Sequence, residues 1–156
     1  MATTTLVADI MSRDVKVVAP DTLVPDAADL LAEARVGAMP VVDADGRLVG
    51  LLRDEDLIVS EARLHVPTFI SFLGGTLVSK REEHRFEEEL RRVAGSSVAD
   101  VMQAEPPTIR SDATVEDAAT LMHRSEVTHV PVLDSDGRVV GMLARGDLVR
   151  FIARTT

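Results

Sequence analysis

The sequence predicts an α/β (α+β) fold made of two similar βαββα units, and two observations carry this prediction. Shifting the chain by 91 positions lays residues 7–57 on residues 98–148 without a gap, and 22 of the 51 pairs are identical. Within each copy, short aliphatic runs alternate with stretches of helical periodicity. A gapless match of this density indicates two copies of one supersecondary unit. We therefore expect units related by pseudo-twofold symmetry, with the function located where they meet.

The two copies agree best over residues 40–56 and 131–147. Each of these stretches reads as a strand, a tight turn, a second strand and the start of a helix. Asp45-Gly46 and Asp136-Gly137 mark the turns, because Asp-Gly tolerates the positive φ angles of a type I′ hairpin. Gly50 and Gly141, in the second hairpin strand, predict a close approach of another backbone.

The first unit begins with a short predicted strand at Val15–Val18, which ends before Pro20. A helix follows at Val24–Arg35, with Pro25 in its first turn, where a missing N–H costs little. Its apolar face has helical spacing and consists of Ala27, Ala28, Leu30, Leu31 and Ala34. After the hairpin, a second helix is predicted at Asp54–Ala62.

The second unit repeats this order of elements. Its short strand is predicted at Thr108–Ile109 and its final helix at Asp147–Arg154. Thr114 is the expected N-cap of the intervening helix, with Asp117 completing a capping box. The inward face of that helix is predicted to consist of Ala118, Ala119, Leu121 and Met122.

The predicted domain boundaries are residues 7–60 for the first unit, 61–97 for a helical insert or linker, and 98–154 for the second unit. The insert has no counterpart in the repeat. It contains a short apolar patch around Phe69 and Phe72 and a charged helix predicted at Arg81–Val93. We interpret it as structural or as an interface.

Composition excludes several classes of function. The net charge of −9 and the aromatic content of 3%, with no Trp and no Tyr, argue against a nucleic-acid or anionic-membrane surface. The absence of cysteine excludes disulfides and thiolate chemistry. We expect no metal site. The sequence contains no uncharged apolar stretch long enough to predict a membrane span, so we expect a soluble cytoplasmic protein.

The doubled motif resembles a tandem pair of CBS domains, also called a Bateman module, without an attached effector domain. The resembling residues are Pro-Val-(Val/Leu)-Asp-x-Asp-Gly-Arg-x-Val-Gly-x-Leu-x-x-x-Asp-Leu, beginning at Pro40 and at Pro131. This resemblance implies a homodimer that binds an adenosyl ligand between its units. Candidate ligands are AMP, ADP, ATP and S-adenosylmethionine, and no cofactor is required.

The resemblance also implies site residues, transferred position by position. Asp56 and Asp147 match the family's ribose-binding aspartate, whereas Arg53 and Ala144 stand where the family has Ser or Thr. Contacts to the base are implied for Val36, Gly37 and Ala38, with Lys16 from the first strand. In the other cleft they are implied for Val127, Thr128 and His129. His129 also occupies a phosphate position in the cleft of Asp147, which we expect to be the better site.

Two functions from different classes remain open at this stage. The first is a non-catalytic regulatory module that senses an adenosyl ligand and signals to an unknown effector protein by conformational change. The second is a ligand-free interaction or scaffold protein, which the missing hydroxyls at Arg53 and Ala144 favour. An enzyme is not expected, because no nucleophile motif or catalytic carboxylate pair is present. A carboxylate at either aspartate position is also favourable without a ligand, through the helix dipole.

Overall fold

The computed structural model describes residues 4–57 and 96–155, which form two small sheets with flanking helices. The insert residues 58–95 lie outside the described residues, and so do the apolar patch and the charged helix predicted there. Residues 54–57 are also helical. The helices are α1 (Val7–Ile10), α2 (Val24–Ala34), α3 (Val98–Val101), α4 (Val115–Ser125) and α5 (Arg145–Thr155). The strands are β1 (Ala38–Val42), β2 (Leu48–Arg53), β3 (Gln103–Ala104), β4 (Ile109–Arg110), β5 (His129–Leu133) and β6 (Val139–Ala144).

Each unit is built around an antiparallel hairpin, as predicted. The first sheet has the order β1-β2-β3 and the second has the order β4-β5-β6. Strand β4 runs parallel to β5, and β3 runs antiparallel to β2. The fold class predicted from the repeat is therefore confirmed.

The predicted strand at Val15–Val18 is wrong in extent, because only Val18 pairs, through a single parallel bridge to Val41. The equivalent segment of the second unit forms β4, and the next residue, Ser111, donates its N–H to the Leu133 carbonyl at 3.1 Å. The residue that matches Ser111 in the first unit is Pro20, which has no N–H to donate. Pairing therefore stops earlier in the first unit.

The hairpin loops are not type I′ turns, because only the glycine of each Asp-Gly pair has a positive φ, 81° at both Gly46 and Gly137. In the first loop, Gly46 donates its N–H to the Asp43 carbonyl at 3.0 Å. The side chain of Asp43 also accepts the N–H groups of Asp45 and Arg47. The pairing register shifts by one residue between Val41 and Val42. A turn closed by a left-handed glycine with a bulge accommodates the strand twist in place of the predicted turn.

The helices follow the predicted periodicity with two exceptions, Leu30 on α2 and Ala119 on α4, which is exposed and does not face inward. Val24, Ala27 and Leu31 are buried, whereas Leu30 is 40% exposed and does not belong to the buried face. The capping box of α4 is confirmed: Thr114 and Asp117 each accept the other's backbone N–H at 3.1 Å. The helices α2 and α4 end at Arg35 and Glu126, both in the left-handed conformation.

The opening segment of each repeat packs on the other repeat. Val7 and Met11 are buried in a core with Val130, Val132 and Leu143 of the second hairpin. Correspondingly, the first unit's core, which includes Val18, Ala27, Met39 and Leu52, is completed by Val98. The two sequence repeats thus exchange their first helices, α1 and α3.

Gly50 and Gly141 lie where these exchanged segments cross the hairpins. A Cβ atom on Gly141 would lie 3.0 Å from the Ser12 carbonyl oxygen and would meet the side chain of Met11. A Cβ on Gly50 would meet Met102 and the Gln103 carbonyl in the same way. The close backbone approach predicted at both glycines is confirmed. Among residues 4–57 and 96–155, the helices are too short or too polar to cross a membrane.

Candidate functional site

A cleft of about 280 Å³ opens between the two units. Six residues predicted from the sequence line it together: Lys16, Val36, Gly37, Ala38, His129 and Asp147. The remaining lining residues are Ser12, Asp14, Val15, Arg35, Met142, Ala144 and Arg150. We call this the Asp147 cleft. One wall comes from the first unit, at the junction of α2 and β1, and the other comes from the second unit, at the junction of β6 and α5.

The wall from the first unit is a short connection held at both ends. Arg35 ends α2, and the chain then passes through Val36 and Gly37 into β1. The Gly37 carbonyl accepts the N–H of Asp54 at 2.9 Å, which fixes this connection to the helical residues 54–57. Val36 remains 42% exposed and so presents an apolar surface to the cleft. Such a surface suits the face of a flat ring.

Asp147 is the central carboxylate of the cleft and is only 9% exposed. It lies in the first turn of α5, where the helix dipole favours a negative charge. Its Oδ2 atom accepts the N–H of Ala144 at 2.8 Å. Its Oδ1 atom accepts a hydrogen bond from Nη2 of Arg150, one turn later on the same helix. A ligand that uses this oxygen therefore has to compete with Arg150.

His129 belongs to the same unit as Asp147, because β5 begins at His129 and pairs there with Ala144 at the end of β6. Its Nδ1 atom lies 3.0 Å from Oγ1 of Thr128. Burial lowers the pKa of His129 below its usual 6.5, and the nearby carboxylates of Asp54 and Asp147 oppose this shift without reversing it. The resemblance implies a phosphate position for His129, and burial disfavours the charged form of its ring there. A Cβ on Gly37 would lie 3.3 Å from Cε1 of His129, so Gly37 provides room for the ring.

Three permanent cations also line the Asp147 cleft. Lys16 lies 3.6 Å from Asp14, and both side chains are largely exposed. Sequence reasoning missed Arg35 and Arg150. Within the described ranges, Arg35 has no carboxylate at ion-pair distance, so its charge is available to an anion. The repeat contained a signal for Arg35, because the position 91 residues later is Glu126, of opposite charge.

The other predicted residues do not line this cleft. Val127 and Thr128 line a groove with Met122, Arg145 and Leu148 at the helical side of the second unit. Asp56 lies in the first unit, where its carboxylate is bound by Arg53 through Nε at 3.2 Å and Nη2 at 2.8 Å. The repeat relationship places Asp56 in a second, pseudo-equivalent cleft.

A metal site finds no support in the described part of the chain, where no three His, Cys, Asp or Glu side chains cluster suitably. The cleft combines an apolar wall, one buried carboxylate and a group of cations, which suits a ligand with a flat ring, hydroxyl groups and an anionic part.

Comparisons with known proteins agree with this geometry. CBSX1, a chloroplastic CBS domain-containing protein of Arabidopsis thaliana, is 34% identical over 146 residues, which cover 88% of this chain and 59% of that protein. The chain thus spans about three fifths of that relative's length. A CBS domain-containing protein of Dictyostelium discoideum is 30% identical over 149 residues, which cover 96% of this chain and 92% of the relative.

Solved structures share the fold over nearly the whole chain. CBSX2 is a CBS-pair protein of Arabidopsis thaliana. Its crystal structure in complex with AMP matches this chain with a TM-score of 0.73 and 31% identity. The match covers 97% of this chain and 98% of that one. The CBS domain family model itself matches residues 7–62 and 98–154. This chain therefore belongs to the CBS domain family, as a pair of CBS domains.

Proposed function

We propose that this chain is a non-catalytic regulatory module that binds an adenosyl ligand in the Asp147 cleft. One observation carries the proposal: six residues implied by the resemblance line one cleft, from both units, around a single buried carboxylate. The relative CBSX2, with 31% identity, has been crystallised with AMP, and this supports the choice of ligand class.

The chemistry of the walls suggests how such a ligand would lie. Asp147 would accept hydrogen bonds from the two ribose hydroxyls, and Val36 and Ala38 would contact the base. Lys16, Arg35 and Arg150 would face the phosphates. These cations favour AMP, ADP or ATP over S-adenosylmethionine, because the sulfonium of the latter carries a positive charge.

A ligand in this position would touch both units and so favour one relative orientation of them. The hairpin loops meet at the pseudo-twofold axis, where Leu48 donates to the Gly137 carbonyl at 3.5 Å and Val139 to the Gly46 carbonyl at 3.4 Å. These long hydrogen bonds make a weak direct contact between the loops. A ligand shifts an equilibrium between two orientations of the units only if it binds one orientation more tightly than the other. An effector protein would then respond to the orientation.

The proposal includes a homodimer located in the cytoplasm. Val149 and Ile152 on α5, both 59% exposed, leave apolar surface on the outside of the second unit. A second copy of the chain would cover this surface, and light scattering of the intact chain at micromolar concentration tests the dimer. The domain boundaries at residues 60/61 and 97/98 are part of the same proposal.

A ligand-free scaffold is the second candidate function, and the ion pairs of the two aspartates favour it. Asp56 and Asp147 are each hydrogen-bonded to an arginine of their own unit. Both carboxylates are therefore satisfied without a ligand. A scaffold of this kind would bind its partner equally well with and without nucleotide.

The experiment that separates these functions is calorimetry with AMP on three proteins. The unmodified chain should bind AMP, and Asp147→Ala should weaken binding about tenfold or more, because each charge-assisted hydrogen bond contributes about 1.5–3 kcal/mol. Asp56→Ala is the matched control, since it removes the same side chain from the other repeat. Equal losses in both variants would contradict the assignment to the Asp147 cleft. No binding of AMP, ATP or S-adenosylmethionine by the unmodified chain would favour the scaffold.

A further inference from the structure

The 91-residue shift relates the surroundings of Asp147 to those of Asp56, which we call the second cleft. The backbone frames of the two places match closely. Arg35 and Glu126 both end a helix in the left-handed conformation, with φ of 54° and 52°. Ala144 donates its N–H to Asp147 at 2.8 Å, and Arg53 donates its N–H to Asp56 at 3.0 Å. The two places share these helix ends and backbone hydrogen bonds but differ in their side chains.

In the second cleft, Arg53 forms hydrogen bonds with the carboxylate of Asp56, the counterpart of Asp147. Three donors of this one residue reach Asp56: the backbone N–H and Nε bind Oδ2, and Nη2 binds Oδ1 at 2.8 Å. Its Nη1 atom lies 2.9 Å from Glu55. The hydrogen bond to Asp56 and the neighbouring carboxylates raise the pKa of Arg53, in keeping with a tightly held guanidinium. Ala144, at the equivalent position of the Asp147 cleft, has no side chain able to do this.

The arginine that pairs with Asp147 is more easily displaced. Arg150 comes from the next turn of α5, and its side chain is 63% exposed, compared with 32% for Arg53. Arg150 makes one side-chain hydrogen bond to its aspartate, whereas Arg53 makes two. A bidentate, partly buried pair is stronger and better oriented than an exposed single one.

The charges of the second cleft also oppose an anionic ligand. The counterpart of Lys16 is Pro107, and the counterpart of Arg35 is Glu126. Glu105 takes the place of Asp14, so the acidic residue is kept while two cations are lost. A phosphate in this cleft would meet a proline and a glutamate where the Asp147 cleft offers lysine and arginine.

We propose that Arg53 closes the second cleft by acting as an internal substitute for the ligand, so that each chain binds one adenosyl ligand. The ion pair with Asp56 supplies the donors that ribose hydroxyls would supply, and the Arg53 side chain fills the space in front of the carboxylate. This inference rests on the proposed function for its ligand. It makes Arg53 the residue that determines stoichiometry.

The test is calorimetry with AMP on the unmodified chain and on Arg53→Thr, with circular dichroism to verify folding. The unmodified chain should bind one AMP per chain. Arg53→Thr frees Asp56 and adds a hydroxyl, so a second and weaker site should appear. Adding Glu126→Arg should strengthen the second site, because it restores the cation at that position. The double variant Arg53→Thr/Asp56→Ala is the matched control and should return to one site.

Each outcome decides between the inference and the proposed function. Two AMP per unmodified chain, or one AMP per chain both before and after a folded Arg53→Thr substitution, would overturn the closure by Arg53. A single site in Arg53→Thr with none in the unmodified chain would support closure and overturn the assignment of ligand to the Asp147 cleft. No binding by either protein would overturn both.

Discussion

His129 shows how tertiary placement changes the chemistry of a residue. The resemblance implied that His129 lies at a phosphate position. In the folded chain, burial between the two units lowers its pKa, although the carboxylates of Asp54 and Asp147 lie near. Because the folded pKa lies below the unfolded value of about 6.5, the neutral ring is the form that folding favours. The contribution of His129 to stability is therefore lost as pH falls below about 6.5.

Under the proposed function, the position of His129 in the cleft predicts that AMP binding depends on pH. A phosphate beside His129 would favour the imidazolium, so binding should take up a proton, and affinity should rise as pH falls from about 8 to about 6. His129→Gln should remove this component and leave adenosine binding nearly independent of pH. Calorimetry with both ligands across this pH range measures the effect. The phosphate of AMP also titrates, but it does so in both proteins. If AMP affinity changes with pH by the same amount in His129→Gln as in the unmodified chain, the prediction is contradicted.

At the scale of elements, the segments that cross the two hairpins restrict which residues the hairpin strands can contain. Gly141 lies in β6 where Ser12 pairs with Met142: the Ser12 N–H donates to the Met142 carbonyl at 2.9 Å, and the reverse bond measures 3.0 Å. Gly50 plays the same part against Gln103. The glycines therefore permit a backbone crossing, and their φ values are not positive. Space, and not backbone conformation, requires glycine at these positions.

Gly141→Val should destabilise the chain by about 1–3 kcal/mol, the usual cost of overpacking a filled site. The added atoms would press on the Ser12 carbonyl, which belongs to backbone and moves with difficulty. Gly146→Ala is a suitable control, because the nearest atom there is the flexible end of Arg150 and alanine is the better helix former. Urea unfolding compares the two. An unchanged midpoint for Gly141→Val would contradict the close approach described here.

At the scale of the whole molecule, the exchange of α1 and α3 makes the two repeats interdependent. Val7 is fully buried in the core of the second unit, and Val98 is fully buried in the core of the first. The backbone follows the same exchange, since Val7 donates to the Ala113 carbonyl and Val98 to the Thr22 carbonyl, both at 2.8 Å. Neither sequence repeat contains the whole of the core that it folds around.

Val7→Ala should therefore destabilise the second unit, although Val7 belongs to the first repeat. We expect a loss of about 2 kcal/mol, for two lost methyl groups and the cavity that they leave. The fall in hydrogen-exchange protection should be largest in β5 and β6, measured by mass spectrometry. Val17→Ala is the matched control, because Val17 is 46% exposed and its truncation should change little. A loss of protection confined to β1 and β2 would contradict the exchange.

Much of the fold could be predicted from the sequence alone, because the repeat can be recognised by aligning the chain with itself. The 91-residue shift predicted the fold class, the hairpins and the two close-approach glycines, and the structure confirms these. The capping box of Thr114 and Asp117 was also readable, because it depends on residues only three positions apart. The resemblance added six of the residues that line the Asp147 cleft.

Only the tertiary structure decided the features that depend on contacts distant in sequence. Aligning the repeats cannot show that α1 packs on the opposite unit, because an exchanged and an unexchanged pair have the same alignment. The pairing of Arg53 with Asp56, the contribution of Arg35 and Arg150 to the cleft, and the depressed pKa of His129 likewise required positions in space. Side-chain burial and charge separation are three-dimensional quantities, so the sequence determined the plan of two units, and their packing decided which side chains line the Asp147 cleft.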